Sequence, residues 1–198
     1  MEAKLRQAHM SESRMDVLGT GFGFEDARED LHAVIDIIIN TTVDLDAFHS
    51  NHPRAPAEWE LALKRNFAQY QLYSLPRIGD AYYITCRLAL LIYSDFILFP
   101  IPAPGIRVRL CSQLQGLIQY GQLDPEFLVW VTVMGALAAI DTPFQDWYVT
   151  MLGTYFTLYG VCDWPGLKRI VHKFLWWEYV LDPRIHYLWH EARMLDSL

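Results

Sequence analysis

The sequence predicts an all-α fold: a single-domain bundle of about seven or eight helices over residues 28–198, behind a flexible N-terminal arm at residues 1–27. Three observations predict it. Apolar residues recur at three- and four-residue steps over helix-length stretches. Aspartate, proline and glycine punctuate those stretches at cap positions, as in Asp124-Pro125 and Asp182-Pro183. No segment alternates apolar and polar residues as a half-buried strand does, and no internal repeat is evident.

The elements follow in order. Residues 1–27 are polar, and the run Gly19, Gly21, Gly23 follows no apolar strand, so it reads as a flexible loop and not a nucleotide site. A helix begins near Glu25, with Leu31, Val34, Ile35, Ile38 and Ile39 on one face, and Thr41 to Pro56 reads as a loop. A second helix, Ala57 to Leu75, carries Trp59, Leu63, Phe67 and Tyr70 on one side and Lys64 and Arg65 on the other. Asp80 caps a third, Ala81 to Phe99, which is apolar almost all round and therefore belongs at the centre of a bundle. Pro100 to Gly105 suits no regular element, and helix four runs from Ile106 to Tyr120. Asp124-Pro125 opens a helix to Ile140, and another spans Phe144 to Tyr159. A helix from Leu167 to Val180 follows, and Asp182-Pro183 opens the last one.

Composition excludes several classes. The chain has 198 residues, 53% of them hydrophobic and 14% aromatic. A domain of this size buries roughly 70% of its unfolded surface and needs no metal or disulfide to fold. Sixteen basic residues against 23 acidic ones leave a net charge of −7, with no basic cluster longer than a pair, which argues against direct nucleic acid binding. Cys86, Cys111 and Cys162 are odd in number and set in apolar segments, a pattern of reduced core thiols in an intracellular protein, cytoplasmic or nuclear. The first twenty residues lack the apolar run of a signal peptide. The uncharged stretches Phe127–Ile140 and Trp147–Cys162 are shorter than the roughly 18–20 residues that cross a bilayer, so no membrane span is expected.

Six of the seven tryptophans lie between Phe127 and Ala192. The order of short motifs there, and just before it, carries a resemblance. It begins with Tyr82-Tyr83, Cys86 to Asp95 and Phe99 to Pro102. It continues through Leu128 to Val131, Met134 to Ala139 and Asp146 to Val149. It closes with Trp164, Leu167-Lys168, Phe174 to Trp176, Asp182-Pro183 and Leu188 to Glu191. Together these resemble the fungal-specific transcription factor domain, the helical region C-terminal to the zinc cluster of many fungal regulators. Regulators of that family carry six cysteines in a basic N-terminal segment, whereas this sequence has no cysteine before Cys86. The resemblance implies a regulator-type helical domain without its own DNA-binding module.

Side-chain chemistry adds candidates. His186 and His190 have a spacing that can seat a metal but fall on the polar side of the last helix, so no metal is expected. His172 falls on an exposed side, and Asp141 and Asp146 flank helix starts. No Ser-His-Asp order, P-loop, HExxH or paired-carboxylate motif is present, so no cofactor is expected and catalytic residues stay unassigned. Charged groups on an apolar helix need a partner, a helix end or a wet cavity, which singles out Arg87 and Asp95. With them Tyr82, Tyr83, Tyr93, Trp130, Trp147, Tyr155 and Trp176 form the candidate ligand-binding set, because buried phenols and indoles want hydrogen-bond partners.

The expected function is binding of an apolar small molecule or a protein partner, with a homodimer among the options. The alternative is a repurposed cofactor-free enzyme, a cyclase, pericyclase or isomerase acting on a terpenoid or polyketide of fungal secondary metabolism. Such chemistry needs a shaped, dry pocket and one or two hydrogen-bond donors.

Overall fold

Eight α-helices and no strand occupy residues 18–22, 29–97 and 104–195, the part of the chain that the computed structural model describes. In chain order they are α1 Glu29–His49, α2 Glu58–Ser74, α3 Ala81–Phe96, α4 Pro104–Tyr120, α5 Pro125–Ala139, α6 Gln145–Leu158, α7 Trp164–Val171 and α8 Glu178–Leu195. The all-α class is as the periodicity predicts. Of the arm expected over residues 1–27, all but 18–22 lies outside the described residues.

Three aspartates set helix starts. Asp80 accepts the Tyr83 amide at 2.8 Å, and Asp163 accepts that of Gly166 at 2.7 Å. Asp124 takes the amides of Glu126 and Phe127 at 3.0 and 3.1 Å. Each satisfies donors that the first turn leaves unpaired and contributes about 1 kcal/mol. Pro104 stands in the first turn of α4, where its missing amide costs nothing, so that helix opens inside the stretch expected to be irregular.

The sequence expectation placed a loop from Thr41, yet α1 continues to His49. Thr41 and Thr42 donate their hydroxyls to the carbonyls of Ile37 and Ile38, at 2.7 and 2.9 Å, and so satisfy themselves within the helix. Thr42 and Leu45 are buried and extend the stripe begun by Leu31, Ile35 and Ile38. The Thr42 hydroxyl also meets the Tyr93 phenol at 2.8 Å, tying α1 to α3.

α5 is the centre of the bundle. Every residue from Phe127 to Ala139 is buried, and the helix packs against α3, α4, α6, α7 and α8. α3, expected in that place, leaves Tyr82, Ile84 and Asp95 only partly buried. The close approach of α6 to α5 depends on Gly135: a β-carbon there would lie 2.1 Å from the Tyr148 ring. Tyr148 then donates to the Cys111 carbonyl at 2.9 Å, and the Cys111 thiol reaches the Gly135 carbonyl at 3.8 Å, so α4, α5 and α6 meet at one point.

Two further expectations fail at the α7–α8 connection. The chain leaves the helix after Val171 and resumes at Glu178, and α8 runs through Asp182-Pro183 without breaking there. The carbonyls released in the connection find distant donors. Gly21 donates to Lys173 at 2.7 Å, Gly19 to Phe174 at 3.3 Å, and the Trp130 indole to Leu175 at 3.1 Å. The glycine run is accordingly docked at Gly19 and Gly21. Gly19 is left-handed at φ 85, and a β-carbon on Gly21 would strike the Phe174 ring at 2.7 Å. Phe22 completes the seal, edge-on to Trp130 and Phe174 at 5.3 and 5.4 Å.

Candidate functional site

The nine residues expected to line a ligand cavity are dispersed through the fold. Tyr83 is buried beneath Gly79, and Tyr93 is bonded to Thr42. Arg87 donates from Nε to the Leu72 carbonyl at 2.9 Å; burial, with the charge of Arg77 adding to it, holds its guanidinium below the usual value. Asp95 faces Arg107 on α4 at 3.5 Å. Trp130 stacks on Phe174 with centroids 5.2 Å apart, deep in the core. Trp147 stands edge-on to Tyr148. Tyr155 stacks on Tyr159, and burial, then that neighbour, raises its phenol pKa. Trp176 donates to Asp182 at 2.7 Å. The contacts of Tyr93, Arg87 and Asp95 join helix pairs, and the others are local or tie α5 to the α7–α8 connection.

Trp176 and Asp182 belong to a polar clamp over the α7–α8 connection. Lys168 reaches Asp182 at 2.9 Å and Glu178 at 3.1 Å, and His172 reaches Glu178 at 3.0 Å. Burial lowers the Lys168 pKa, but the two carboxylates more than offset that and leave it raised. His172, expected to be exposed, is half-buried because it closes this clamp. His186 and His190 are exposed and pack ring against ring at 4.5 Å.

Tyr82 alone of the nine lines a cleft of about 840 Å3, which is open to solvent on one side. Its apolar wall is Tyr82 packed on Phe127 at 4.5 Å, with Leu123 beside them. Its polar rim is already engaged. Asp80 and Asp124 cap their own helices, and Glu126 grips Lys173 at 2.6 and 2.7 Å. Among the lining residues no nucleophile stands against a base.

A second candidate is the outer face of α2, which packs inward on α1 and α3. Its buried residues are Leu61, Arg65, Ala68 and Leu72, continued by Leu75 at the cap. These steps of four and three residues make a coiled-coil-like seam. Turned through half a circle, the same helix carries a second seam with the same steps: Trp59, Leu63, Asn66, Tyr70 and Tyr73. All five are exposed, Trp59 and Tyr70 at 67% and Leu63 at 63%, and Phe67 flanks them at 49%. The aromatic side noted in the sequence is therefore the solvent side. Arg65, assigned to the polar side, lies in the core seam, where it reaches the Ser94 carbonyl at 3.5 Å and Asn66 Oδ1 at 2.9 Å. The sequence signal was available: two apolar seams on one helix cannot both face one core.

Comparison with protein-family models, curated proteins and solved structures finds no match. None of them identifies a fungal regulator domain, and the candidate sites stand on their geometry. Among the described residues no helix is long and apolar enough to cross a membrane, and no group of three or more His, Cys, Asp or Glu side chains is placed to hold a metal ion.

Proposed function

We propose that this chain is a regulator-type helical domain that works by binding another protein through the outer face of α2, and not by gripping DNA itself. One observation carries the reading: an unpartnered, uncharged, aromatic-rich seam on an edge helix. Monomer surfaces scatter single apolar residues, whereas contiguous patches rich in Tyr, Trp and Phe mark interfaces. The net charge of −7 adds support, since a nucleic-acid grip needs a basic face.

The test places a photoreactive amino acid at Leu63 and irradiates the source cells. Adducts heavier than one chain are expected, and they should vanish when Tyr70→Glu is added. The same probe at the exposed Thr154 should give none. Absence of adducts at Leu63 would overturn the reading.

A second reading, binding of an apolar small molecule, has one observation in its favour, the cleft beside Tyr82 and Phe127. Its volume of about 840 Å3 falls within the ~300–1,000 Å3 of ligand pockets. A bound molecule seen by native mass spectrometry and lost in Tyr82→Ala would support it. The cofactor-free cyclase or isomerase would have to use the same cleft, where an open side and a rim of Asp80, Asp124, Glu126 and Lys173 work against excluding water.

A further inference from the structure

We infer that the occupant of the outer α2 seam is a second copy of this chain, packed antiparallel about a two-fold axis. The inference rests on the protein-binding reading above and names its partner. Spacing specifies the kind of partner: steps of four and three residues over a helix of 17 residues fit a second helix lying along them.

Three features favour self-association over a different helix. The first is area. With aromatic side chains taken as ~150–250 Å2 each, the exposed parts of Trp59, Leu63, Phe67, Tyr70 and Tyr73 amount to roughly 650 Å2 per copy, near the ~800 Å2 per partner of a standard interface. The second is charge. Acidic Glu58 and Glu60 stand at one end of the helix and Arg77 just beyond the other. An antiparallel pair sets each end against its opposite and opposes the two helix dipoles, whereas a parallel pair would stack like on like. The third is the match of polar groups. In an antiparallel register that seats Leu63 against Tyr73 of the partner subunit, Asn66 meets Tyr70 of the partner subunit, amide against phenol.

The full chain is examined by sedimentation between 1 and 100 µM, with Leu63→Glu and Tyr70→Glu as variants. A mass twice the 23.0 kDa of one chain is expected for the native protein. Each variant should weaken the dimer about a hundredfold with unchanged helical circular dichroism, since both side chains are already exposed. In a C162S background, which removes the exposed native thiol, copies bearing N66C should form disulfides with copies bearing Y70C and not with one another.

A monomer at 100 µM overturns the inference. So does a dimer that survives both charge variants, or N66C copies that cross-link among themselves. A monomer whose Leu63 probe still captures other proteins would leave the protein-binding reading standing. A monomer that captures nothing removes both.

Discussion

Arg87 on α3 donates to the carbonyl of Leu72 in the last turn of α2 at 2.9 Å. Arg65 on α2 returns the contact to Ser94, in the last turn of α3, at 3.5 Å. The two contacts lie two turns apart on each helix, so they share one antiparallel register. Each guanidinium meets the negative end of the other helix, where carbonyls lack intrahelical partners. Buried arginine here costs no carboxylate partner. Its donors are taken by carbonyls at the helix ends.

Replacing Arg87 with Met should therefore leave the Leu72 carbonyl buried and unpaired, at a cost of about 2 kcal/mol. Arg65→Met should cost less, because its contact is longer. Urea unfolding of both variants checks the order; an Arg65→Met loss larger than that of Arg87→Met would contradict it.

Gly135→Ala should be among the most damaging single-methyl changes in the chain. Its β-carbon would lie 2.1 Å from a Tyr148 ring that is fully buried and held by its bond to Cys111. Overpacking of this kind costs about 1–3 kcal/mol. Tyr148→Phe, which removes only the hydroxyl, should cost about 1 kcal/mol. Thermal melts of the two variants should rank them in that order.

The buried thiols make the fold sensitive to base. Burial pushes the Cys111 thiol from an ordinary 9.0 up to about 12, raises that of Cys86, and raises the Tyr148 phenol. Between the unfolded and folded values, the unfolded chain releases protons that the folded chain keeps. The contribution of these groups is thus constant below pH ~9 and stability falls above it, by about 1.4 kcal/mol per pH unit for each thiol. Cys111→Ala should remove one such slope between pH 9 and about 12. A thiol reagent at pH 8 should label Cys162 promptly and the other two only after unfolding; the expectation of three core thiols fails at Cys162, which is exposed.

Asp141 holds φ 60, a left-handed conformation, just past the Ile140 cap of α5. Glycine adopts that conformation without a β-carbon penalty and is the usual residue there. Asp141→Gly should stabilise the fold by about 0.5–1 kcal/mol, read as a rise in Tm of a few degrees. A fall in Tm would mean that the carboxylate does more than tolerate the turn.

The elements legible in the sequence are those whose cause is local. Asp80 and Asp124 cap α3 and α5 through amides two or three residues away, and such spacing can be read directly. The connection after Val171 depends on distant partners. Gly19, Gly21 and Trp130 take the carbonyls of residues 173–175 there. The nine dispersed site residues share a chemical character, but character does not bring side chains to one place.

Local periodicity is enough to show that this protein is helical and that α2 carries Trp59, Leu63, Phe67 and Tyr70 on one side, because it is a property of neighbours along the chain. Which side is buried depends on how the helices pack. The core took Leu61, Arg65, Ala68 and Leu72, where small and aliphatic groups let α1 and α3 approach and Arg65 meets the end of α3. The tryptophan and tyrosines were left outside, since periodicity defines a face but not what covers it.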